Sequence, residues 1–470
     1  MTGRGLGKWG RGVAVGAIVC AGFPLALLPS WADTLEGALV QAYQNNPTLN
    51  SQRASVRATD ENVPQALSGY RPRVTVNGTI GHEYWDQTSK LGNSNVYLRQ
   101  TATLTPNSYG ITATQTLYNG FQTANRTRGA ESQVQAARET LRVNEQTVLL
   151  SAVTAYMNLL RDGAILDLQR RNVEVLQEQL RQTRDRFNVG EVTRTDVAQS
   201  ESRLAAGRSQ VLTAEATYTA SVATYRQVIG VQPGKLSPGS PVDRFSPRDL
   251  PQSVGVATAT HPAVTSAQYS VDVALRQVKV AEGALYPTLS LQGSVLQNNE
   301  TGPNAFKTFN GVVLGQLTVP IYQGGAEYSL IRQAKESLGQ RRLDLDTARD
   351  QVRQTVVQSW GNLEAAKANI EATQANVQAA EIALNGVREE ARVGQRTTLD
   401  VLNAQQELVN ARVSLVSAQR DRVVASYTLL GAVGRLSPQV LGLHVPTYDS
   451  NVHYQQVRDS WAGVRTPDGR

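Results

Sequence analysis

Two rhythms of apolar residues divide the chain. Between positions 331 and 391, Ile331, Ala334, Leu338, Leu345, Ala348, Val352, Val356, Leu363, Ala366, Ile370, Val377, Ala380, Leu384, Val387 and Ala391 follow one another by steps of three, four or seven. That spacing predicts a coiled-coil seam held for about sixty residues, with a stutter at Val352 to Val356 where the supercoil unwinds locally. At about 1.5 Å per residue it amounts to roughly 90 to 100 Å of helix. Alanine is frequent on the seam, and Gln, Thr, Asn and Ser occupy much of the opposite face. A narrow apolar stripe with a hydrated back suits a wall between helices and water better than a globular core. Proline agrees: none lies between Pro106 and Pro233 or between Pro320 and Pro438, and a helix-interior proline costs about 3 kcal/mol.

The second rhythm has period two and predicts strands. Val74, Val76, Ile80 and Tyr84 fall on even positions, and Ile111, Ala113 and Leu117 on odd ones near Tyr118. The pattern recurs as Leu289, Leu291, Gly293, Val295 and as Val313, Gly315, Leu317, Val319, with Asn-, Gly- and Ser-rich turn segments between the members of each pair. Aromatics gather at the strand ends, from Tyr70 to Phe121 in the first pair and from Tyr286 to Tyr322 in the second. Sheet packing accounts for such residues, and so do the aromatic girdles of an outer-membrane barrel.

Charge and composition narrow the function classes. The first 32 residues read as a secretory signal: Arg4, Lys8 and Arg11 precede the apolar run Val13 to Leu28, and Ser30-Trp31-Ala32 offers a cleavage site. Cys20, the single cysteine, leaves with it, so neither a disulfide framework nor a multi-cysteine metal site is expected. The formal charge of +7 falls to about +4, too slight and dispersed for a nucleic-acid partner. His82, His261, His444 and His453 stand singly and read as surface residues; no convergent nucleophilic or titratable set suggests an enzyme, a metal or another cofactor. Beyond Ala32 no apolar run reaches membrane-helix length, so a secreted chain either stays soluble or crosses a membrane as strands.

An internal repeat organises these elements. Asn46-Pro47 aligns with His261-Pro262 and Pro72 with Pro287; LYNG ending at Gly120 aligns with IYQG ending at Gly324, RFNVG ending at Gly190 with EARVG ending at Gly394, and Asp196 with Asp400. The first two pairs are offset by 215 residues and the rest by 204, so the length change falls inside the strand pair. Each half reads helix, strand, strand, long helix, turn, helix. The expected division is a signal at 1–32, a first unit at 33–232 and a linker at 233–252, then a second unit at 253–436 and a polar tail at 437–470. Within the units, the strand pairs fall at about 72–118 and 287–321, the long helices at about 121–188 and 325–392, the tips at 189–195 and 393–397, and the following helices at 196–229 and 398–433.

With their order and duplication, TLEGALVQAYQNNPTLNSQRA, VPIYQGG, RFNVGEVTRTDV and VGQRTTLDVLNAQQELVNAR resemble the TolC family of outer-membrane exit ducts from about Thr34 to Leu436. The resemblance implies a mainly helical protein with a β membrane part, in the bacterial outer membrane. Its homotrimer would pool four strands per protomer into a twelve-stranded barrel surrounded by outer-membrane lipid and continuous with a periplasmic α-barrel. It implies a periplasmic adaptor and an inner-membrane ABC or proton-driven pump as partners, for type I protein secretion or drug efflux. Residue by residue, it puts adaptor docking at the tips Val189, Gly190, Thr193, Val393, Gly394 and Thr397, and a periplasmic gate at Thr195, Asp196, Arg396, Asp400 and Asn403. Asp196 and Arg396 match positions whose links hold the gate shut. Asp400 matches an acidic ring, in which three carboxylates would repel and raise one another's apparent pKa. Two positions depart from the family pattern: Ala391 stands for a tyrosine of the constraint network and Asn403 for a second acidic ring.

The residues support oligomerisation by themselves, because four strands cannot close and an open edge in lipid costs several kcal/mol per unpaired backbone group. Dimer and trimer both satisfy that arithmetic. A secreted coiled-coil scaffold would explain the helices and not the duplicated strand pairs.

Overall fold

The computed structural model describes residues 34–467 and residue 469; the expected signal lies outside them. Three short helices, α1 (Leu35–Asn45), α2 (Pro47–Asp60) and α3 (Asn62–Leu67), lead to strands β1 (Arg73–Ile80), β2 (Glu83–Lys90), β3 (Tyr97–Leu104) and β4 (Asn107–Asn119), then to α4 (Gln122–Asn188) and α5 (Arg194–Ile229). The second half runs α6 (Leu250–Thr260), α7 (Pro262–Gly283), β5 (Thr288–Gly302), β6 (Ala305–Thr318), α8 (Ala326–Arg392) and α9 (Thr398–Ala432), and closes with α10 (Ser450–Val457).

The repeat is visible in local chemistry. Asn46 caps α2, its side chain accepting from the amides of Thr48 and Leu49, with Pro47 at the first helical position. In the second half His261 does the same for α7: Nδ1 accepts from Ala263 N at 3.1 Å, with Pro262 following. This histidine is half-buried, not a surface residue, and burial pushes its pKa down, which keeps the ring neutral for the cap. His453 is also half-buried, with Nδ1 2.9 Å from the Asp60 carboxylate. The isolated histidines thus include two fixed by structural hydrogen bonds that sequence spacing could not reveal.

α4 and α8 have 67 residues each, about 100 Å of helix. All fifteen seam residues of α8 are buried or half-buried, as a stripe packed on one side requires. Neither stretch is interrupted by proline, and no described helix is long and apolar enough to cross a membrane. Most of the helical part is one layer thick. At mid-length the segments 231–249 and 434–448 add a second layer, and there lies the one large core, with Leu39, Leu49, Leu149, Tyr156, Tyr225, Ile229 and Leu430 almost wholly buried. Tyr156 fixes that layer: its hydroxyl donates to Ser237 O at 2.6 Å and accepts from Ser237 N at 3.1 Å.

The sheet is antiparallel in the order β1-β4-β5-β6. In the first half the expected strand pair is four strands, not two. Gly81 N still donates to Pro106 O, but Pro106 has no amide to return, so the ladder stops and the chain continues as a separate hairpin, β2 with β3. The even-numbered rhythm from Val74 to Tyr84 therefore spans two sheets. At the other end the register slips between Thr116 and Tyr118, so Leu117 is bulged out of pairing and Tyr118, not Leu117, faces Leu289.

Candidate functional site: a two-faced sheet and two capped tips

Pairing across the sheet sorts its residues into two faces. One carries the rows Val76, Ile111, Val295, Gly311 and Val74, Ala113, Gly293, Val313, then Gln115, Leu291, Gly315. The other carries Thr75, Thr112, Ser294, Val312, then Asn77, Gly110, Leu296, Asn310 and Thr79, Ser108, Asn298, Thr308. The first face is apolar and has no protein against it: Val76, Val313 and Leu317 are among its exposed side chains. The second is mostly hydroxyls and amides, with Leu296, Val312 and Leu314 among its apolar exceptions. A soluble protein would bury the apolar face. Leaving it open suits lipid on that side and water on the other.

Far from the sheet, the two helix-to-helix corners are near copies. Gly190 and Gly394 adopt left-handed φ of 82° and 80°, which lets the chain reverse: Glu191 N bonds Arg186 O, and Gln395 N bonds Glu390 O, both at 2.9 Å. Val189 and Val393 stand before them, each more than 70% exposed. Thr193 then caps α5 and Thr397 caps α9. The carboxylate of Asp196 accepts from Thr193 N at 2.9 Å and from its hydroxyl at 2.7 Å; Asp400 accepts from Thr397 N at 3.0 Å and its hydroxyl at 2.8 Å. These are capping boxes with Asp at the third helical position. The resemblance sets the threonines at docking tips and the aspartates at a gate; the structure joins Thr193 to Asp196 and Thr397 to Asp400 in single motifs, for which T-x-x-D spacing is the signal.

The remaining gate candidates have partners that spacing did not reveal. Arg396 Nε bonds the Glu390 carboxylate at 2.8 Å, and Asn403 Oδ1 accepts from Arg203 at 2.7 Å across to α5. Thr195 is exposed on the first turn of α5. Among the described residues no ion pair joins Asp196 to Arg396 within one protomer. The Thr397 amide and hydroxyl hold the Asp400 carboxyl below the usual carboxylate range, with Arg396 adding to the effect. No group of three or more His, Cys, Asp or Glu among the described residues could hold a metal ion.

The profile of the family described as outer membrane efflux protein matches residues 38–231 and 254–435, the two structural repeats with the connecting segment left out. The chain belongs to the outer membrane efflux protein family. It is 43% identical over 455 residues to the outer membrane efflux protein BepC of Brucella suis, covering 97% of each chain. It is 27% identical over 431 residues to the outer membrane protein TolC of Escherichia coli, covering 88% of this chain and 84% of TolC. The outer membrane protein VceC of Vibrio cholerae shares the fold: TM-score 0.71 at 17% identity, covering 85% of this chain and 96% of that one. The resemblance read from the repeated motifs is therefore confirmed at family level. The chain is thus an outer-membrane efflux protein, of a family of channels or ducts rather than enzymes.

Proposed function

We propose that three copies of this efflux protein assemble into the exit duct of a tripartite export system, their twelve strands closing a barrel in the outer membrane and their helices forming a tube below it. The observation that carries the reading is the sheet: one apolar face without cover, one polar face, and two outer edges, on β1 and β6, without a partner strand among the described residues. An open edge is not viable in lipid, and β1 of one copy beside β6 of the next removes both. The experiment is light scattering of detergent-extracted protein. The expected mass is that of a trimer, and a monomer after mild extraction would remove the closed barrel. A periplasmic adaptor and an inner-membrane ABC or proton-driven pump complete the path. Relatives named for efflux and for protease secretion support both services of one duct, type I protein secretion and drug efflux.

In this reading the capped corners form the periplasmic end. Arg396 has a local partner in Glu390 and Asp196 a local role in its cap, so closure is a choice between partners inside a protomer and across protomers. Arg396→Ser and Asp196→Asn are expected to raise single-channel conductance severalfold in planar bilayers. The asparagine retains an acceptor for the cap, whereas alanine would also lose about 1 kcal/mol of helix start. Unchanged conductance with intact trimers would place the latch elsewhere. The Thr397 cap favours the ionised Asp400 and opposes the repulsion expected within a ring, and Asp400→Asn is expected to weaken block by multivalent cations in the same recordings.

The exposed corners also suit adaptor docking. Nothing stands within 4 Å of a side-chain carbon built on Gly190 or Gly394, so a substitution there meets only the left-handed dihedral, about 1–2 kcal/mol. Gly190→Val and Gly394→Val are expected to abolish export while trimer level in the outer membrane is kept. A parallel loss of trimer would return both glycines to a structural role alone.

A further inference from the structure

The polar tail after α9 is fastened along its length. Tyr448 N donates to the Tyr43 hydroxyl, which itself donates to Glu145 on α4. Arg138, seven residues earlier on α4, bonds Asn451 at 2.7 Å and Ser450 O at 3.3 Å and lies over the Tyr454 ring. Seven residues earlier again, Glu131 faces Arg458 at 3.9 Å. Positions 145, 138 and 131 share one face of a helix, so the tail climbs α4 as a strap, two turns at a time, toward the strands. α10 is tied sideways to α2 by His453 and Asp60.

The strap ends beside the sheet. Arg71, two residues before β1, donates to Ser460 O at 2.5 Å and lies 4.7 Å from the centre of the Trp461 ring. The neighbouring Tyr70 carbonyl accepts from Gln115 of β4 at 2.7 Å, which sets Arg71 level with the helix-side end of the sheet. At that end Tyr70, Phe121, Tyr286 and Tyr322 are all more than half exposed. Trp461 is 72% exposed and Val464 fully so. Apart from the Arg71 guanidinium, the indole of a charged, polar tail thus stands largely uncovered in a zone of uncovered aromatics.

We propose that Trp461 is a membrane-interface anchor, seated in the headgroup region of the phospholipid leaflet that faces the periplasm. The proposal rests on the duct reading in two ways. The apolar strand face must be in lipid, which puts its helix-side end at that interface, and the strap must run on the outer surface, since the second layer it continues would otherwise fill the lumen. An indole is suited to this zone because its ring is apolar and its N–H reaches polar headgroups. The guanidinium of Arg71 fixes the ring and lies where lipid phosphates lie. The strap thereby ties the thick mid-level layer of the tube to the bilayer.

The test uses full-length protein in vesicles of phosphatidylethanolamine and phosphatidylglycerol with acyl chains brominated near the headgroup. The Trp461 signal is the difference between Trp85→Phe/Trp360→Phe and the same protein also carrying Trp461→Phe. The expected result is a blue-shifted emission that bromolipid at least halves and aqueous iodide scarcely quenches. Adding Arg71→Ala is expected to shift the emission to the red and restore iodide quenching. A Trp461 emission typical of water, indifferent to bromolipid, overturns the anchor, whether the tail is free in solvent or on the lumen side. Ion conductance of the same vesicles is read separately: its absence counts against the duct, and quenching alone judges the anchor.

Discussion

Val313→Arg is expected to remove assembled trimer from the outer membrane, lowering the heat-dissociable band at least tenfold, while Thr112→Arg in a neighbouring row leaves it near normal. The two positions lie in adjacent rows of one sheet and on opposite faces. Val313 is 80% exposed on the apolar face, in the row with Val74, Ala113 and Gly293. An arginine facing hydrocarbon near the midplane costs about 2–4 kcal/mol. Three copies in one trimer would multiply that to roughly 6–12 kcal/mol, comparable with the whole stability of a folded domain. Thr112 sits among Thr75 and Ser294, where a guanidinium meets hydroxyls and water. Equal loss from both variants would mean that the faces are not lipid and lumen.

Gly120→Ala is expected to be the most damaging single-methyl change among the described glycines, and Gly324→Ala, at the equivalent corner, far milder. Both glycines have left-handed φ, 61° and 73°, so both substitutions incur about 1–2 kcal/mol of backbone strain. Only Gly120 is also crowded. A side-chain carbon there would lie 2.3 Å from the Gly283 carbonyl oxygen and 2.8 Å from Tyr286 Cβ, and one on Gly283 would lie 2.6 Å from the Gly120 carbonyl oxygen. Neither neighbour can swing aside, because one is backbone and the other is tied to it at the α7 to β5 junction. The strand-to-helix corner of the first half and the helix-to-strand junction of the second therefore cross in contact, and separating them adds at least about 1–3 kcal/mol of displaced packing. Thermal unfolding in detergent reads the difference: Gly120→Ala should lower the midpoint by several degrees more than Gly324→Ala. Matching shifts would show that the crossing relaxes freely.

The contrast between these glycines marks where a sequence stops being informative. LYNG and IYQG are read as the same corner, and both do turn through left-handed glycine, since that demand is local to the backbone. Which corner is crowded depends on α7 meeting the start of α4, residues about 160 positions apart. The same division runs through the site. The seam of α8, the period-two strands and the turns at Gly190 and Gly394 follow from spacing and from the backbone needs of helix and strand, and the repeat with its motifs identified the family. The ladder break at Pro106 has a local cause that the rhythm alone obscured, because Ile80 and Tyr84 keep the same parity on either side of it.

Other features belong to the tertiary structure alone. Arg396 had Glu390 within six residues, yet an arginine there has several carboxylates in reach and only the folded corner selects one. Asn403 took Arg203, two hundred residues away. The 437–470 tail read as polar and unassigned because its partners, Asp60, Arg138, Glu131 and Arg71, lie more than three hundred residues upstream and contribute no periodicity. Sequence by itself determined the long helices, the period-two rhythm of the main strands and their duplication, since those depend on contacts within a few residues. Pairing partners, the crowded crossing and the course of the tail were decided only when chain closure brought distant segments together, because a side chain's neighbours across a fold are set by packing and not by the residues beside it.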